Sequence, residues 1–148
     1  MIIVSQNRTL ILNSPKYIGY DDGMILALGV GSTDLIELGS YEIETTPLVF
    51  EKLKGKKILV KGNHDRKSCE AFLKYFDFAC DTFTWHYNGI EIIFSHEPLK
   101  NFSQDLNIHG HLHNRPLKSK KHLLISLELM GYGVHSLPAL VRKWKEKA

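Results

Sequence analysis

The sequence has few cysteines and no long apolar stretch. Only Cys69 and Cys80 occur in 148 residues, and neither belongs to a metal-binding pattern. Two cysteines are too few for the disulfide framework of a small secreted domain, and they disfavour a structural zinc site built on thiolates. The N-terminus lacks a signal-peptide pattern and no apolar run has membrane-spanning length. These absences favour a cytoplasmic protein without a membrane partner.

An excess of charge of one sign is also missing. The formal net charge is +3, and the basic residues are spread along the chain. A nucleic-acid partner is therefore not indicated, and the lysines at 118–121 and in the tail 142–147 are interpreted as solvated surface. A length of 148 residues with 43% hydrophobic content predicts a single domain, 1–148, with one core. The sequence leaves open whether the protein forms a homo-oligomer.

Histidine-rich polar segments follow three apolar runs. Residues 62–65 (GNHD) follow the apolar run 58–60, residues 95–98 (SHEP) follow 91–94, and residues 109–114 (HGHLHN) follow 106–108. Short apolar runs bounded by turn residues predict buried strands. Because loops at the carboxyl ends of neighbouring strands converge on one crevice, the histidines are expected to gather there.

The residue types in these segments suit a metal site. His111 and His113 are two positions apart, and Gly110 allows the backbone to come close to an ion. Imidazole nitrogens bind Zn, Fe, Mn or Co, and the side-chain carbonyl of Asn63 suits the harder of these ions. His64 is followed directly by a carboxylate, an arrangement typical of an oriented general acid or base.

The three segments, in this order and at these intervals, closely resemble the last three motifs of calcineurin-like metallophosphoesterases. The similarity runs from about residue 53 to about residue 137 and includes 122–128, which resembles the strand that closes such domains. The resemblance implies an α/β (α+β) fold, a layered β-sandwich flanked by helices. It also implies hydrolysis of a phosphorylated substrate with a divalent metal, one or two ions of Mn, Fe, Zn, Ni or Mg.

Roles carried over by motif position follow from the resemblance alone. It implies that the second metal is bound by Asn63, His96 and His111, and the first by His113. It further implies that His64 assists the leaving oxygen while Asp65 orients it. Two side chains are expected near the substrate phosphate, Arg66 and Asn114.

The first half of the chain departs from the family pattern. Family members carry Asp-x-His after the first strand, where this chain has Gln6 and Arg8, and Gly-Asp after the second, where it has Ser40. Two divalent cations about 3.5–4 Å apart need anionic ligands to offset their repulsion. A site with a single metal therefore stays an alternative to a two-metal site. Four carboxylates in the first half could replace the missing ligand, and their spacing does not favour one over the others: Asp21, Asp22, Asp34 and Glu37.

The first 50 residues also lack a sustained helical period. Turn signals separate short strands expected at 2–4, 9–12, 24–30 and 35–38, which suggests a small β meander. We therefore describe 1–50 as an atypical strand-rich part of the domain and 53–137 as the family-like part.

Further elements are expected in the second half. Asn88-Gly89 predicts a hairpin joining strands 82–87 and 90–95. Helices are expected at 47–53, from about 68, and after the cap residue Ser136. The last of these carries apolar residues at helical spacing, which are expected to form its buried face: Leu137, Leu140, Val141 and Trp144. Four histidines are left outside the site, His109 as a packing residue and three others without a chemical role: His86, His122 and His135.

Two functions remain open from the sequence. The first is a phosphoesterase that cleaves a phosphomonoester or phosphodiester. The second is a catalytically inactive binding or regulatory module, which the substitutions at Gln6, Arg8 and Ser40 favour. The intact His64-Asp65 pair favours the enzyme.

Overall fold

A computed structural model describes residues 2–5, 24–28, 56–62, 73, 76–112, 115–125, 129 and 135–147. These residues form two β-sheets and one helix. The strands are β1 (Ile2–Ser5), β2 (Met24–Leu28), β3 (Lys56–Val60), β4 (Phe78–Cys80), β5 (Thr82–Tyr87), β6 (Ile90–Ser95), β7 (Leu106–His109), β8 (His122–Leu124) and β9 (His135–Ser136). The helix is α1 (Leu137–Lys147).

The first sheet has five strands in the order β4-β3-β2-β1-β9. Strands β1 to β4 are parallel neighbours, and β9 pairs antiparallel with β1. This arrangement corrects the expected β meander, because β1 and β2 pair directly with each other, whereas a meander would place the strand expected at 9–12 between them. Parallel neighbours require a crossover connection, which the alternation of short apolar runs and turn residues did not reveal.

The second sheet has four strands in the order β5-β6-β7-β8. Strands β5 and β6 form the predicted hairpin, and its two turn residues have positive φ angles, 48° at Asn88 and 77° at Gly89. Two positive φ values define the type I′ turn, whose twist matches that of the flanking strands. Strands β6, β7 and β8 are parallel neighbours, so their carboxyl ends lie at one edge of the sheet.

Both sheets and the helix contribute to one hydrophobic core. The buried side chains come from β3, from alternate positions of β6 and β7, from β8 and the residue that follows it, and from α1: Ile58, Val60, Ile92, Phe94, Leu106, Ile108, Leu123, Ile125, Leu137, Leu140 and Val141. The layered β-sandwich expected from the sequence is therefore confirmed. Alternation along the strands sends the intervening residues of β6 and β7 to the opposite face, which we call the outer face.

Helix α1 has the start and the buried face expected from its sequence. The Ser136 hydroxyl accepts a hydrogen bond from the backbone N–H of Ala139 at 3.4 Å, which is an N-cap contact. Lysines in the last turn, Lys145 and Lys147, interact favourably with the helix dipole. No helix in the described ranges is long and apolar enough to span a membrane. The helices expected at 47–53 and from about 68, and the strands at 9–12 and 35–38, lie outside the described residues.

Candidate metal site

Strands β6 and β7 bring two of the histidine segments together. Their parallel register ends with Ser95 opposite His109, so the next residues of both strands are adjacent. The backbone N–H of Gly110 donates to the carbonyl of His96 at 2.9 Å, which continues the pairing by one step beyond the strands. The sheet therefore places the SHEP and HGHLHN segments side by side, as the strand-end argument expects.

A tight turn then directs His111 back toward His96. The backbone N–H of Leu112 donates to the carbonyl of Gly110 at 2.8 Å, and His111 at the centre of this turn has a φ of 67°. A three-residue turn with positive φ at its centre is a γ-turn, which is rare and strained for a residue with a side chain. Such strain is common at functional sites, where the surrounding structure holds it in place.

The two imidazoles meet at their ring nitrogens. Nδ1 of His111 lies 3.3 Å from Nε2 of His96, and the rings are at 68° with centroids 5.2 Å apart. His96 is buried, with 8% of its surface exposed. Two nitrogens at about 2.0–2.1 Å from one cation are roughly 2.9–3.4 Å apart for octahedral or tetrahedral angles. The observed separation therefore fits two ligands of a single ion.

The pair alone does not complete a site. Among the described residues no group of three His, Cys, Asp or Glu side chains is positioned to hold a metal. The other two ligands that the sequence predicts, Asn63 and His113, lie outside the described residues. Backbone near both positions is described, since β3 ends at Val60 and the Gly110 turn ends at Leu112. Those two assignments remain predictions.

Glu97 places a carboxylate beside the pair, a role that the sequence interpretation did not give it. Its Oε1 lies 3.8 Å from Nε2 of His111, the nitrogen that faces away from His96. A carboxylate on the second nitrogen of a ligating histidine fixes the ring and raises its basicity. Because 60% of the Glu97 side chain is exposed, solvent screens this interaction. The signal in the sequence was its position directly after His96.

A buried asparagine on the outer face holds the loop that carries His96. Asn107 is fully buried, and its Nδ2 donates to the carbonyl of Ile93 at 3.0 Å and to the Ser95 hydroxyl at 2.9 Å. Its Oδ1 accepts from the backbone N–H of Leu99 at 2.9 Å. The Ser95 hydroxyl in turn donates to the carbonyl of Glu97 at 2.6 Å. Asn107 therefore connects both ends of the SHEP loop to β7.

Two further histidines lie on the outer face beside this network. His109 is fully buried, its Nδ1 donates to the carbonyl of Gly110 at 3.0 Å, and its Nε2 has no hydrogen-bond partner in the described part of the chain. Its ring packs edge-on against His122 at 5.6 Å. His122 contacts the Ser119 hydroxyl at 2.8 Å through Nδ1 and the carbonyl of Leu99 at 2.9 Å through Nε2.

The pKa of His109 predicts a pH-dependent stability. Burial lowers this pKa from 6.5 to about 4, partly offset by the hydrogen bond to Gly110 and reinforced by the nearby His122 and Lys147. Below pH 6.5 the unfolded chain binds a proton that the folded chain does not bind, so stability falls as the pH drops toward 4. We expect His109 to contribute a loss of about 3 kcal/mol over this range.

The check is urea unfolding of wild type and His109→Leu between pH 4 and pH 7, with chelator present so that metal binding does not contribute. The variant is expected to lose less stability than wild type on acidification. Parallel pH profiles of the two proteins would contradict the assignment of this slope to His109.

The remaining predicted site residues lie outside the described residues. These are the two catalytic candidates and the two phosphate contacts, His64, Asp65, Arg66 and Asn114, as well as the departures from the family pattern at Gln6, Arg8 and Ser40. The structure describes two predicted metal ligands, His96 and His111, and brings them together.

A comparison with protein families places this geometry in context. A model of the calcineurin-like phosphoesterases matches residues 30–146, most of the chain. The chain belongs to the calcineurin-like phosphoesterase family. Members of this family generally bind divalent metals, and the matched range includes both β6 and β7 with the histidine pair. The family resemblance seen in the three motifs is therefore confirmed, and with it a phosphoesterase-like function at the level of the family.

Two solved structures share the calcineurin-like phosphoesterase fold of this chain. A protein of unknown function from Aquifex aeolicus has a TM-score of 0.67 at 21% identity, over 97% of this chain and 98% of its own. A novel archaeal phosphodiesterase has a TM-score of 0.56 at 18% identity, over 94% and 95%. At these identities the likeness is one of fold. None of the curated proteins compared with the chain matches it.

Proposed function

We propose that the chain is a metal-dependent phosphoesterase that hydrolyses a phosphomonoester or a phosphodiester. The observation that carries the proposal is the 3.3 Å approach of His96 Nε2 to His111 Nδ1 at the carboxyl ends of two parallel strands. An inward-facing pair of imidazoles, one of them on a strained turn, suits a cation better than a packing role. The archaeal structural neighbour is a phosphodiesterase, which supports the same class of reaction.

In this proposal the cation is held by His96 and His111 together with Asn63, and His113 would hold a second ion if one binds. A divalent cation there supplies Lewis-acid stabilisation of the charge on the phosphoryl oxygens. The Glu97 carboxylate, 3.8 Å from Nε2 of His111, favours this orientation of the ring through its charge. Burial of His96 excludes water from one side of the pair.

Side chains of the protein then donate the proton and bind the phosphate. His64, in its protonated form, donates a proton to the departing oxygen, and the carboxylate of Asp65 stabilises that form. Arg66 and Asn114 hold the phosphate oxygens through charge-assisted and neutral hydrogen bonds. The family motifs support these roles. We further propose that the protein acts in the cytoplasm on a phosphorylated substrate.

The test is hydrolysis of p-nitrophenyl phosphate and bis-p-nitrophenyl phosphate, with Mn²⁺ added, by wild type and His64→Ala. General acid catalysis contributes about 10²–10⁴-fold, so the variant is expected to lose turnover by at least about 100-fold. Its metal content, measured by elemental analysis, should equal that of wild type. His86→Ala removes an exposed histidine on β5 and serves as the matched control, with turnover within about twofold of wild type.

Equal turnover by wild type and His64→Ala would contradict the role given to His64. If neither ester is hydrolysed by metal-loaded wild type, the phosphoesterase proposal itself fails for these two classes. The chain would then be better described as a binding or regulatory module that keeps the fold.

A further inference from the structure

A cleft apart from the histidine pair lies beside the start of β8. It has a volume of about 230 Å³ and is formed by the segment that precedes β8 together with one side of α1. The residues that matter for its chemistry are Lys118, Ser119, Lys120, His122, Trp144 and Lys147. None of the histidine pair or Glu97 lines this cleft, so it is separate from the candidate metal site.

The charge of the cleft is unbalanced. Its described lining contains three lysines and no carboxylate. The ion pairs His86–Glu91 and His111–Glu97 within the described residues do not include these lysines. Three lysines along one small concavity make the local potential positive, which favours an anion there.

Hydrogen bonds fix the walls of the cleft. The indole N–H of Trp144 donates to the carbonyl of Lys120 at 2.7 Å, which fastens α1 to the lysine-bearing segment. The backbone N–H of Lys121 donates to the Ser119 hydroxyl at 3.2 Å, and that hydroxyl contacts His122 Nδ1 at 2.8 Å. His122 is fastened on its other side, because its Nε2 donates to the carbonyl of Leu99.

We propose that this cleft binds the phosphate group of a small ligand. Lysine is a point-charge binder of phosphate, and three lysines line this cleft. Sites for drug-sized ligands have volumes of about 300–1,000 Å³, so a cleft of this size suits inorganic phosphate or a small phosphomonoester. The inference is independent of the proposed reaction.

The indole N–H of Trp144 gives a local readout. The chain has two tryptophans, and the other, Trp85, lies on β5 outside the cleft. A ¹H–¹⁵N spectrum of the full chain therefore shows two indole signals, which the variant Trp85→Phe assigns. Titration with inorganic phosphate, and separately with glycerol phosphate, at low ionic strength is expected to shift the Trp144 signal saturably and leave Trp85 unchanged.

Matched double variants separate the cleft from general surface charge. Lys120→Ala/Lys147→Ala removes two cleft lysines, whereas Lys121→Ala/Lys145→Ala removes the same charge from the same two segments outside the cleft. The first is expected to weaken phosphate binding at least tenfold, and the second to stay within about twofold of wild type. A shift with both probes identifies phosphate itself as sufficient, and a shift with glycerol phosphate alone identifies an organic phosphate.

Two outcomes would overturn the inference. One is the absence of a saturable Trp144 shift in wild type with either probe. The other is an equal loss of phosphate affinity in the two double variants, which would show that the binding depends on the net charge of the protein and not on the cleft. The shift should persist in His111→Gly, because that residue belongs to the other site; its loss there would show that the phosphate binds at the histidine pair instead.

Discussion

Replacing His111 with glycine is expected to abolish metal binding and to lower phosphoesterase turnover by more than about 100-fold. Loss of a residue that only supports a metal ligand already costs about 10–100-fold in metal affinity or activity, and we propose that His111 is a ligand itself. Its Nδ1 lies 3.3 Å from His96 Nε2, so its removal leaves His96 without the second nitrogen of the pair.

Glycine separates the ligand role of this position from its role in the fold. The φ of 67° at His111 is unfavourable for a side chain by roughly 1–2 kcal/mol, and glycine adopts it without strain but loses more entropy on folding. The stability of His111→Gly is therefore expected to stay within about 1 kcal/mol of wild type. Elemental analysis, turnover and urea unfolding measure the three effects. Retained metal and turnover in a folded His111→Gly protein would contradict the site.

The second large effect is expected at Asn107. The variant Asn107→Asp keeps the shape of the side chain but replaces the amide that donates to Ile93 and Ser95 with a carboxylate. The position is fully buried and the carbonyl of Ile93 would face the new negative charge. A buried charge without a partner costs about 3–5 kcal/mol, a large part of the stability of a typical domain.

The cost at Asn107→Asp should depend on pH in a defined direction. Burial raises the pKa of the introduced carboxyl above its value of about 3.9 in the unfolded chain. The folded variant therefore keeps a proton that the unfolded chain releases, and its stability falls as the pH rises above 4 by up to about 1.4 kcal/mol per unit. Urea unfolding at pH 5 and pH 8, each relative to wild type, measures this difference.

An exposed asparagine in the connection between β6 and β7 is the matched control. Asn101→Asp introduces the same charge at an exposed position and is expected to change stability by less than about 0.5 kcal/mol at either pH. If Asn107→Asp is equally mild at pH 8, the hydrogen-bond network that we assign to Asn107 does not hold the SHEP loop.

Local signals in the sequence predicted the second half of the fold well. The Asn88-Gly89 pair requires two positive φ angles that few other residues tolerate, so it identified the hairpin and its register. Ser136 followed by apolar residues at helical spacing identified α1 and its buried face. In both cases a few neighbouring residues determine the structure, without any contribution from distant segments.

Local sequence signals of this kind did not predict the parallel pairing of β1 with β2. Two short apolar strands can pair antiparallel when a tight turn joins them, and parallel when a longer crossover joins them. The connection between the strands therefore decides which pairing forms. The sequence between Ser5 and Met24 gave turn residues without a helical period, and these suggested a meander. The parallel register is set instead by the sheet as a whole, in which β2 lies between β1 and β3.

The sequence predicted the two histidines of the candidate site but not the residues whose hydrogen bonds hold the surrounding segments in place. His96 and His111 follow apolar runs in a known motif order, so their approach was expected. Asn107 gave only the weak signal of a polar residue inside an apolar strand, and its partners are 8 to 14 positions away. His122 similarly gave no sign that its two nitrogens bridge Ser119 and Leu99.

We propose that His96 and His111 bind one divalent cation. An anomalous difference map from a crystal of the wild-type protein grown with Zn²⁺, recorded at the zinc edge, tests it most directly. We predict a peak about 2.0–2.1 Å from both His96 Nε2 and His111 Nδ1. A map in which zinc binds elsewhere, with these two nitrogens still in contact with each other, would contradict the claim.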